Sequence, residues 1–418
     1  MIKYAETMKV WFKLLMGSIL GLLLGRFMPS ENQQLLDILV WLSDLAIKIG
    51  RYAVVPIILF SLTIAVYELR QTSSFWPLVF RSILVMLGSS VFVIGIGLLV
   101  ISFFPSIRIP VLSGEDVETI ALNLKESVNL LFPANMFSAL VSDGIYLFPI
   151  CVFAFFVGMG LSYDRSFSKS IISLVDSLSR IFYYVGIFFS EILGLAIIVL
   201  SAYWAVRYRD ILQDSRFLPL ISLLGVLSAV MGFVLLPMFL YFMGGKQYSF
   251  SAVYSSLGPA LTAFFSGDIN FTLPVLIQHA KENLGVRRRS IAVTAPLFTT
   301  FGRAGSAMVA AVAFMVIIKS YSSLEISRSV VISIGLNALF LSLCLARYPG
   351  SGAYIALAVL CQNFGDDVTA SGYLILKPIA FFLISIGTFL DIMISFFASY
   401  AIGKISNLQE SRSPKNFI

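Results

Sequence analysis

Ser266-Gly267-Asp268-Ile269-Asn270, with Pro274 just beyond, interrupts an apolar stretch that runs from Ala252 to Ala280. A second apolar stretch, Val330 to Phe364, is interrupted by Arg347-Tyr348-Pro349-Gly350-Ser351-Gly352. A helix needs roughly 20 apolar residues to cross a bilayer, and each half here is read as about a dozen long, short of that length. Neither half is expected to cross, so each stretch reads as a re-entrant hairpin that dips in and returns. Irregular backbone at membrane depth survives only where protein buries it or where it lines a watery cavity.

Outward from these breaks the chain is apolar almost throughout. Of 418 residues, 58% are hydrophobic and 12% charged, far from the balance of a soluble domain. The fold class is all-α polytopic membrane protein. Full spans are predicted near Val10 to Met28, Leu36 to Tyr67, Phe75 to Phe104, Gly144 to Leu161, Ile171 to Val206, Leu218 to Gly244, Ile291 to Ile318 and Tyr373 to Ile402. That makes eight transmembrane helices and two re-entrant hairpins. Several runs exceed the bilayer thickness, which implies tilt. Val10 to Met28 reads as a span and not a cleavable signal, because it ends at Arg26 with no small-residue site.

Lys3, Lys9, Arg70, Arg165, Lys169, Lys246, Arg287, Arg288, Arg289, Lys404 and Lys415 fall on one side of this count, which makes that side cytoplasmic. Glu31, Glu115, Asp116, Glu118, Glu126, Glu325, Asp366 and Asp367 fall on the other; Arg207 and Arg209 dissent, accompanied by Asp210 and Asp214. Both termini are then cytoplasmic, and the two hairpins enter from opposite sides. Leu284-Gly285 and Phe364-Gly365, each followed by a span, hint at an internal repeat. The net charge of +7 is explained by these loop clusters, so no nucleic-acid partner is expected. Cys151, Cys344 and Cys361 have neither metal nor disulfide spacing. His279 reads as an interfacial histidine, and Lys48, Arg51 and Glu191 as interfacial or interhelical contacts.

Four charges lie deeper. Arg303 is about a dozen residues from either end of its span, roughly 16 Å along an unbroken helix. Asp391 is equally central in its own span, and Asp268 and Arg347 occupy the two breaks. Each such charge costs about 2.5 to 3.5 kcal/mol at the bilayer centre, so four left unpaired would cost roughly 10 kcal/mol, comparable with a whole fold's net stability. Arg303 and Arg347 are therefore expected to converge with Asp391 and Asp268. Such pairs either lock the broken helices together or mark an ion or substrate pathway. Paired broken segments at related positions favour the second, as the sequence mark of a secondary transporter's site. No nucleophile, base and orienter set suggests an enzyme.

The order hairpin, span, hairpin, span ending in a central Asp resembles the dicarboxylate/amino acid:cation symporter family of glutamate transporters, over nearly the whole chain. Phe271-Thr272-Leu273-Pro274 resembles that family's ending of the first hairpin, and Pro349-Gly350-Ser351-Gly352-Ala353 its second-hairpin gate. Phe132-Pro133-Ala134-Asn135-Met136-Phe137 and Val55-Pro56-Ile57 resemble its Pro-x-Asn-x-Phe and Met-Pro-Ile stretches. The resemblance implies a homotrimer in the inner or plasma membrane. Scaffold helices would occupy 10–67 and 144–206, after a 105–143 extracytoplasmic loop and lead-in. The moving unit would comprise 75–104 and 218–404, with hairpins near 252–280 and 330–364 and spans near 291–318 and 373–402; 405–418 would be a cytoplasmic tail. An elevator motion of that unit would carry a small polar solute, an amino acid or dicarboxylate.

Departures from the pattern matter equally. Gly302-Arg303-Ala304-Gly305-Ser306 stands where the family has Asn-Met-Asp-Gly-Thr, whose oxygens bind sodium. Asp391 matches the aspartate that receives an amino group. The family's carboxylate-reading Arg, and the Asn and Asp of a sodium site, fall at Ile394, Ala398 and Ile402. Sodium, which the resemblance implies as coupling ion, has few oxygen ligands left. Arg303 reads as a tethered cation in its place, leaving coupling absent or carried by protons at Asp391 or Asp268. No other cofactor is implied. The expected substrate site comprises Asp268, Asn270, Arg303, Arg347, Gly350, Ser351, Gly352, Asp391 and Ser395, with Arg347 holding a substrate carboxylate. Arg303, Ser306, Asp391 and Asp268 are the coupling candidates. The rival reading is a homologue without transport that serves as a ligand sensor or an anion-conducting pore.

Overall fold

Gly, Pro and capping side chains set where the helices start and stop. The computed structural model describes residues 10–29, 33–104, 129, 132–133, 135–141, 145–163, 165–213, 215–242, 249–321, 327–364 and 370–410. Its helices are α1 (Val10–Phe27), α2 (Gln33–Arg51), α3 (Val54–Gln71), α4 (Phe75–Phe103), α5 (Phe148–Leu161), α6 (Arg165–Gln213), α7 (Leu218–Val230), α8 (Leu236–Phe242), α9 (Ser249–Ser266), α10 (Ile269–Glu282), α11 (Arg288–Phe301), α12 (Ala304–Tyr321), α13 (Arg328–Cys344), α14 (Gly352–Phe364), α15 (Gly372–Ile375) and α16 (Ala380–Ile405). Most of the expected 105–143 loop lies outside the described residues, as do Lys3, Lys9, Lys246, Lys415, Glu31, Glu115, Asp116, Glu118, Glu126, Glu325, Ala134, Gly144, Asp214, Gly365, Asp366 and Asp367.

Several expected spans are not continuous. Leu36 to Tyr67 divides into α2 and α3, because Pro56 has no N–H to give and fits only an opening turn. Ile291 to Ile318 divides at Gly302-Arg303. The Gly302 N–H still reaches Phe298 O at 2.8 Å, but the Arg303 N–H turns to Ser342 O of α13 at 3.3 Å. The depth of Arg303 therefore cannot be counted along one unbroken helix. Leu218 to Gly244 passes through a π turn at Met231–Leu235, which relieves the clash of the Pro237 ring with the Phe233 carbonyl. Tyr373 to Ile402 begins as the short α15 and a 3-10 turn at Lys377–Ile379 before α16.

Among the described residues, eight stretches are long and apolar enough to cross a membrane, but they are not the expected eight. Arg328–Arg347, 20 residues, qualifies alone, against the expectation that neither half of a broken stretch could cross. The span expected over Gly144 to Leu161 is the shorter apolar helix Phe148–Leu161, 14 residues.

Helices α12 and α16 form the centre. The apolar window in Arg288–Ser320 is 89% buried and that in Lys377–Ile405 78%, against 28% for Val10–Phe27. Around this pair lie α4, α9, α11 and α14; α1 packs on α6, and α3 on α5 and α6. Leu24, Trp41, Phe80 and Phe239 remain exposed, an arrangement that water would oppose and lipid tails accept. The central contact depends on Gly305: a Cβ there would lie 2.7 Å from Asp391 N and 2.8 Å from Gly387 O. Those are backbone atoms of α16 and cannot swing aside. Gly305→Ala should therefore lose about 1–3 kcal/mol of stability. Gly95→Ala on α4, with nothing within 4 Å of its added Cβ, should be neutral or mildly stabilising; thermal unfolding in detergent reads both.

The end of the chain is tied down through residue 410. Arg287 N–H donates to Leu408 O at 2.9 Å and Glu410 N–H to Gly285 O at 2.8 Å, around Gly285 at φ +66. Of the expected 405–418 tail, residues 411–418 lie outside the described residues.

Candidate functional site

Two broken helices end at buried carboxylates, and each carboxylate holds an arginine. Asp268 precedes α10 in extended conformation and accepts the Phe271 N–H at 2.7 Å. A carboxylate at a helix N-terminus satisfies an orphan donor and meets the positive end of the dipole. Helix α12 starts after Arg303, which cannot accept the corresponding N–H. Asp391, from the middle of α16, supplies the acceptor instead: its Oδ1 takes the Ser306 N–H at 3.0 Å.

Around Asp391 the donors are complete. Arg303 Nε donates to Oδ2 at 2.7 Å, Ser306 Oγ donates to the same oxygen at 2.5 Å, and Arg303 Nη2 donates to Ser306 Oγ at 3.3 Å. Arg303 Nη1 donates to Tyr348 O at 3.3 Å. Both charged side chains are fully buried. Gly352 lies against the guanidinium, since a Cβ there would come within 2.7 Å of Nη2. Arg303 thus has carboxylate, hydroxyl and carbonyl oxygens around it, a set of ligands suited to a hard cation.

The second pair departs from expectation. Asp268 is held by Arg51, the last residue of α2: Nε donates to Oδ1 at 3.2 Å and Nη2 forms an ion pair with Oδ2. Arg347, the expected partner, lies half-buried in the 3-10 turn at Leu345–Arg347, in electrostatic range of the Tyr146 phenol. Arg51 was legible only as an interfacial or interhelical contact, alongside Lys48 and Glu191; the reach of α2 to the tip of α10 is a tertiary fact.

The two breaks meet. Ile269 N–H donates to Pro349 O at 3.2 Å, and a Cβ on Gly350 would lie 2.9 Å from Asp268 Oδ2. Gly267, at φ +61, turns its carbonyl to Thr388 Oγ1 of α16 at 3.1 Å. Tyr348-Pro349-Gly350 therefore runs between the two ion pairs, touching one through Tyr348 O and the other through Gly350.

Of the other expected residues, Asn270 donates to Ile145 O at 2.8 Å, toward the lead-in to α5. Ser395 Oγ donates to Asp391 O at 2.8 Å, within its own helix. Ser351 lies at the start of α14, where its carbonyl accepts the Ile355 N–H at 3.1 Å. His279, expected at an interface, is buried and bonded through Nδ1 to Ser255 O at 3.0 Å, so it ties α9 to α10. Among the described residues, no cluster of three or more His, Cys, Asp or Glu could hold a metal ion.

The model of the sodium:dicarboxylate symporter family matches residues 10–405. The chain belongs to this family. Membership makes it a multi-pass membrane protein and sets it among transport proteins, not enzymes. Human neutral amino acid transporter A is 24% identical over 224 residues, which cover 53% of this chain and 42% of that relative. The match thus spans less than half the length of the curated relative. In this member of the symporter family, the central carboxylate is already neutralised by a cation belonging to the protein.

Proposed function

We propose that the protein is a secondary carrier for a small polar solute, an amino acid or dicarboxylate, that works without sodium as an obligatory partner. The observation that carries the reading is the buried Arg303, whose guanidinium takes oxygens of Asp391, Ser306 and Tyr348. A permanent guanidinium neutralises the carboxylate in every state of the cycle, so the site needs no dissociable ion for charge balance. Coupling is then absent or carried by protons at Asp391 or Asp268. The paired breaks, α9–α10 and α13–α14, serve as oppositely oriented re-entrant hairpins, and their glycine-bearing tips, Gly267 and Gly350 to Gly352, as the gate. The moving unit comprises α4 and residues 218–404. Helices α1, α2, α3, α5 and α6 form the scaffold of a homotrimer in the inner or plasma membrane, with both termini cytoplasmic. Arg347, beside the second tip, is the anchor for a substrate carboxylate.

The rival is a ligand sensor or an anion-conducting pore, favoured by the engagement of both acids in internal ion pairs. Counterflow separates the two. Liposomes loaded with an unlabelled amino acid or dicarboxylate should accumulate the labelled form with sodium or with choline outside, at rates within about twofold of each other. Binding without exchange across a full solute panel would favour the sensor, and exchange that collapses in choline would overturn the tethered-cation reading.

A further inference from the structure

We infer that Arg51 is the latch of the site: from α2 it holds Asp268 and so keeps the two tips closed against each other, and the tips part only when this ion pair breaks. The inference rests on the carrier reading for its consequence and on the geometry at the tips for its substance. Arg51 approaches Asp268 with two nitrogens, one on each carboxylate oxygen. Asp268 is 1% exposed, while the Arg51 side chain keeps 20% of its surface accessible. The pair is therefore enclosed at the carboxylate and open at the guanidinium, as a releasable contact has to be. Gly350 of the opposite tip sits over it: a Cβ there would lie 2.9 Å from Asp268 Oδ2 and 3.6 Å from Arg51 Nη2. Ile269, next to Asp268, holds Pro349 O. Arg51, Asp268 and Gly350 thus bring together three elements, α2, the α9–α10 break and the α13–α14 break, at one point.

The opposite end of α10 is fastened separately. Tyr183 Oη of α6 donates to Glu282 Oε1 at 2.9 Å and Lys281 Nζ lies 3.4 Å from the Tyr183 ring centroid; just beyond, Arg288, which opens α11, pairs with Asp176 of α6 and, at 3.5 Å, with Glu68 of α3. Losing Arg51 therefore frees the tip while the base stays anchored, and the effect should be local. Arg51 acts through Asp268 and Gly350, as a positioning residue.

Hydrogen exchange of the full-length protein in lipid nanodiscs tests this. In Arg51→Gln, peptides covering 266–272 and 347–352 should exchange about tenfold faster, the factor for 1.4 kcal/mol of lost closure. Peptides from the mid-helix of α12 and α16 should not change. Arg51→Lys keeps the charge but loses the two-point fork and should fall between, which also covers the case in which the glutamine variant does not fold. Asp268→Asn keeps a helix cap and should resemble Arg51→Gln; the double variant should add nothing further. Unchanged tip exchange in Arg51→Gln and Arg51→Lys, or a rise spread evenly over all helices, would overturn the latch. Counterflow of the wild type is measured in parallel. Faster tip exchange with no counterflow in either protein would leave the latch standing and remove the carrier reading; counterflow with unaltered tips would do the reverse.

Discussion

Asp391→Ala should lose about 3–5 kcal/mol of stability, the cost of stranding a buried charge by removing its partner. Three donors converge on this carboxylate: Arg303 Nε, the Ser306 N–H and Ser306 Oγ. Alanine strands all three, one of them a guanidinium with no route to solvent. The same removal uncaps α12, since Asp391 takes the place of a side-chain acceptor that Arg303 cannot supply. Asp391→Asn should recover part of the loss, because its amide oxygen can still accept the Ser306 N–H. Arg303→Met combined with Asp391→Leu should recover most of it, since exchanging a whole buried pair for apolar side chains is often neutral or stabilising. Thermal unfolding in detergent, read by the loss of monodisperse protein, ranks the variants. If Asp391→Ala unfolds with the wild type, the pair contributes nothing to folding and Arg303 has another neutralising partner.

How far this site was legible in the sequence depends on what each residue does locally. The α9–α10 and α13–α14 breaks were legible because Gly, Asp and Pro act on their own backbone: Asp268 caps the helix that follows it, and Gly267 adopts a positive φ. The deep Arg303 and Asp391 were legible because an isolated charge in an apolar run demands a partner. Their actual pairing with each other was also one of the few options open. The choice of Arg51 over Arg347 for Asp268 was not legible, because it depends on how α2 lies across the tip of α10. The break at Gly302-Arg303 was hidden by the apolar residues on either side, which read as one span, although Gly302 itself is a helix terminator. The first half of the second broken stretch reads as too short to cross when counted at about a dozen residues, whereas Val330 to Ala346 is already 17, and the helix begins at the Ser327 cap and runs to the turn at Arg347. His279 was misplaced because a polar side chain in a hairpin can bond the facing arm as easily as it can reach water.

Arg303→Ala should cost solute exchange about one and a half to three and a half decades, the range expected when one member of a buried, hydrogen-bonded charge pair is truncated at 2–5 kcal/mol. The variant separates two roles that the wild type combines. If Arg303 only braces α12 against α16, its loss lowers stability and exchange together, and no small cation restores either. If it supplies a fixed positive charge to the site, truncation leaves Asp391 Oδ2, Ser306 Oγ and Tyr348 O facing the space the guanidinium held, three oxygens with a net negative charge. Such a set should take a soluble cation in its place. Guanidinium or methylguanidinium in the assay buffer should then restore part of the exchange, and sodium should begin to matter: counterflow by Arg303→Ala should be faster in sodium than in choline, whereas the wild type should show no such difference. Arg303→Lys sharpens the comparison, because an ammonium keeps the charge but cannot bond Asp391, Ser306 and Tyr348 with one planar fork; its exchange should lie between wild type and alanine, without dependence on sodium. A wild type already dependent on sodium, or an alanine variant indifferent to every cation, would show that the arginine is a structural brace and that the site balances its charge elsewhere.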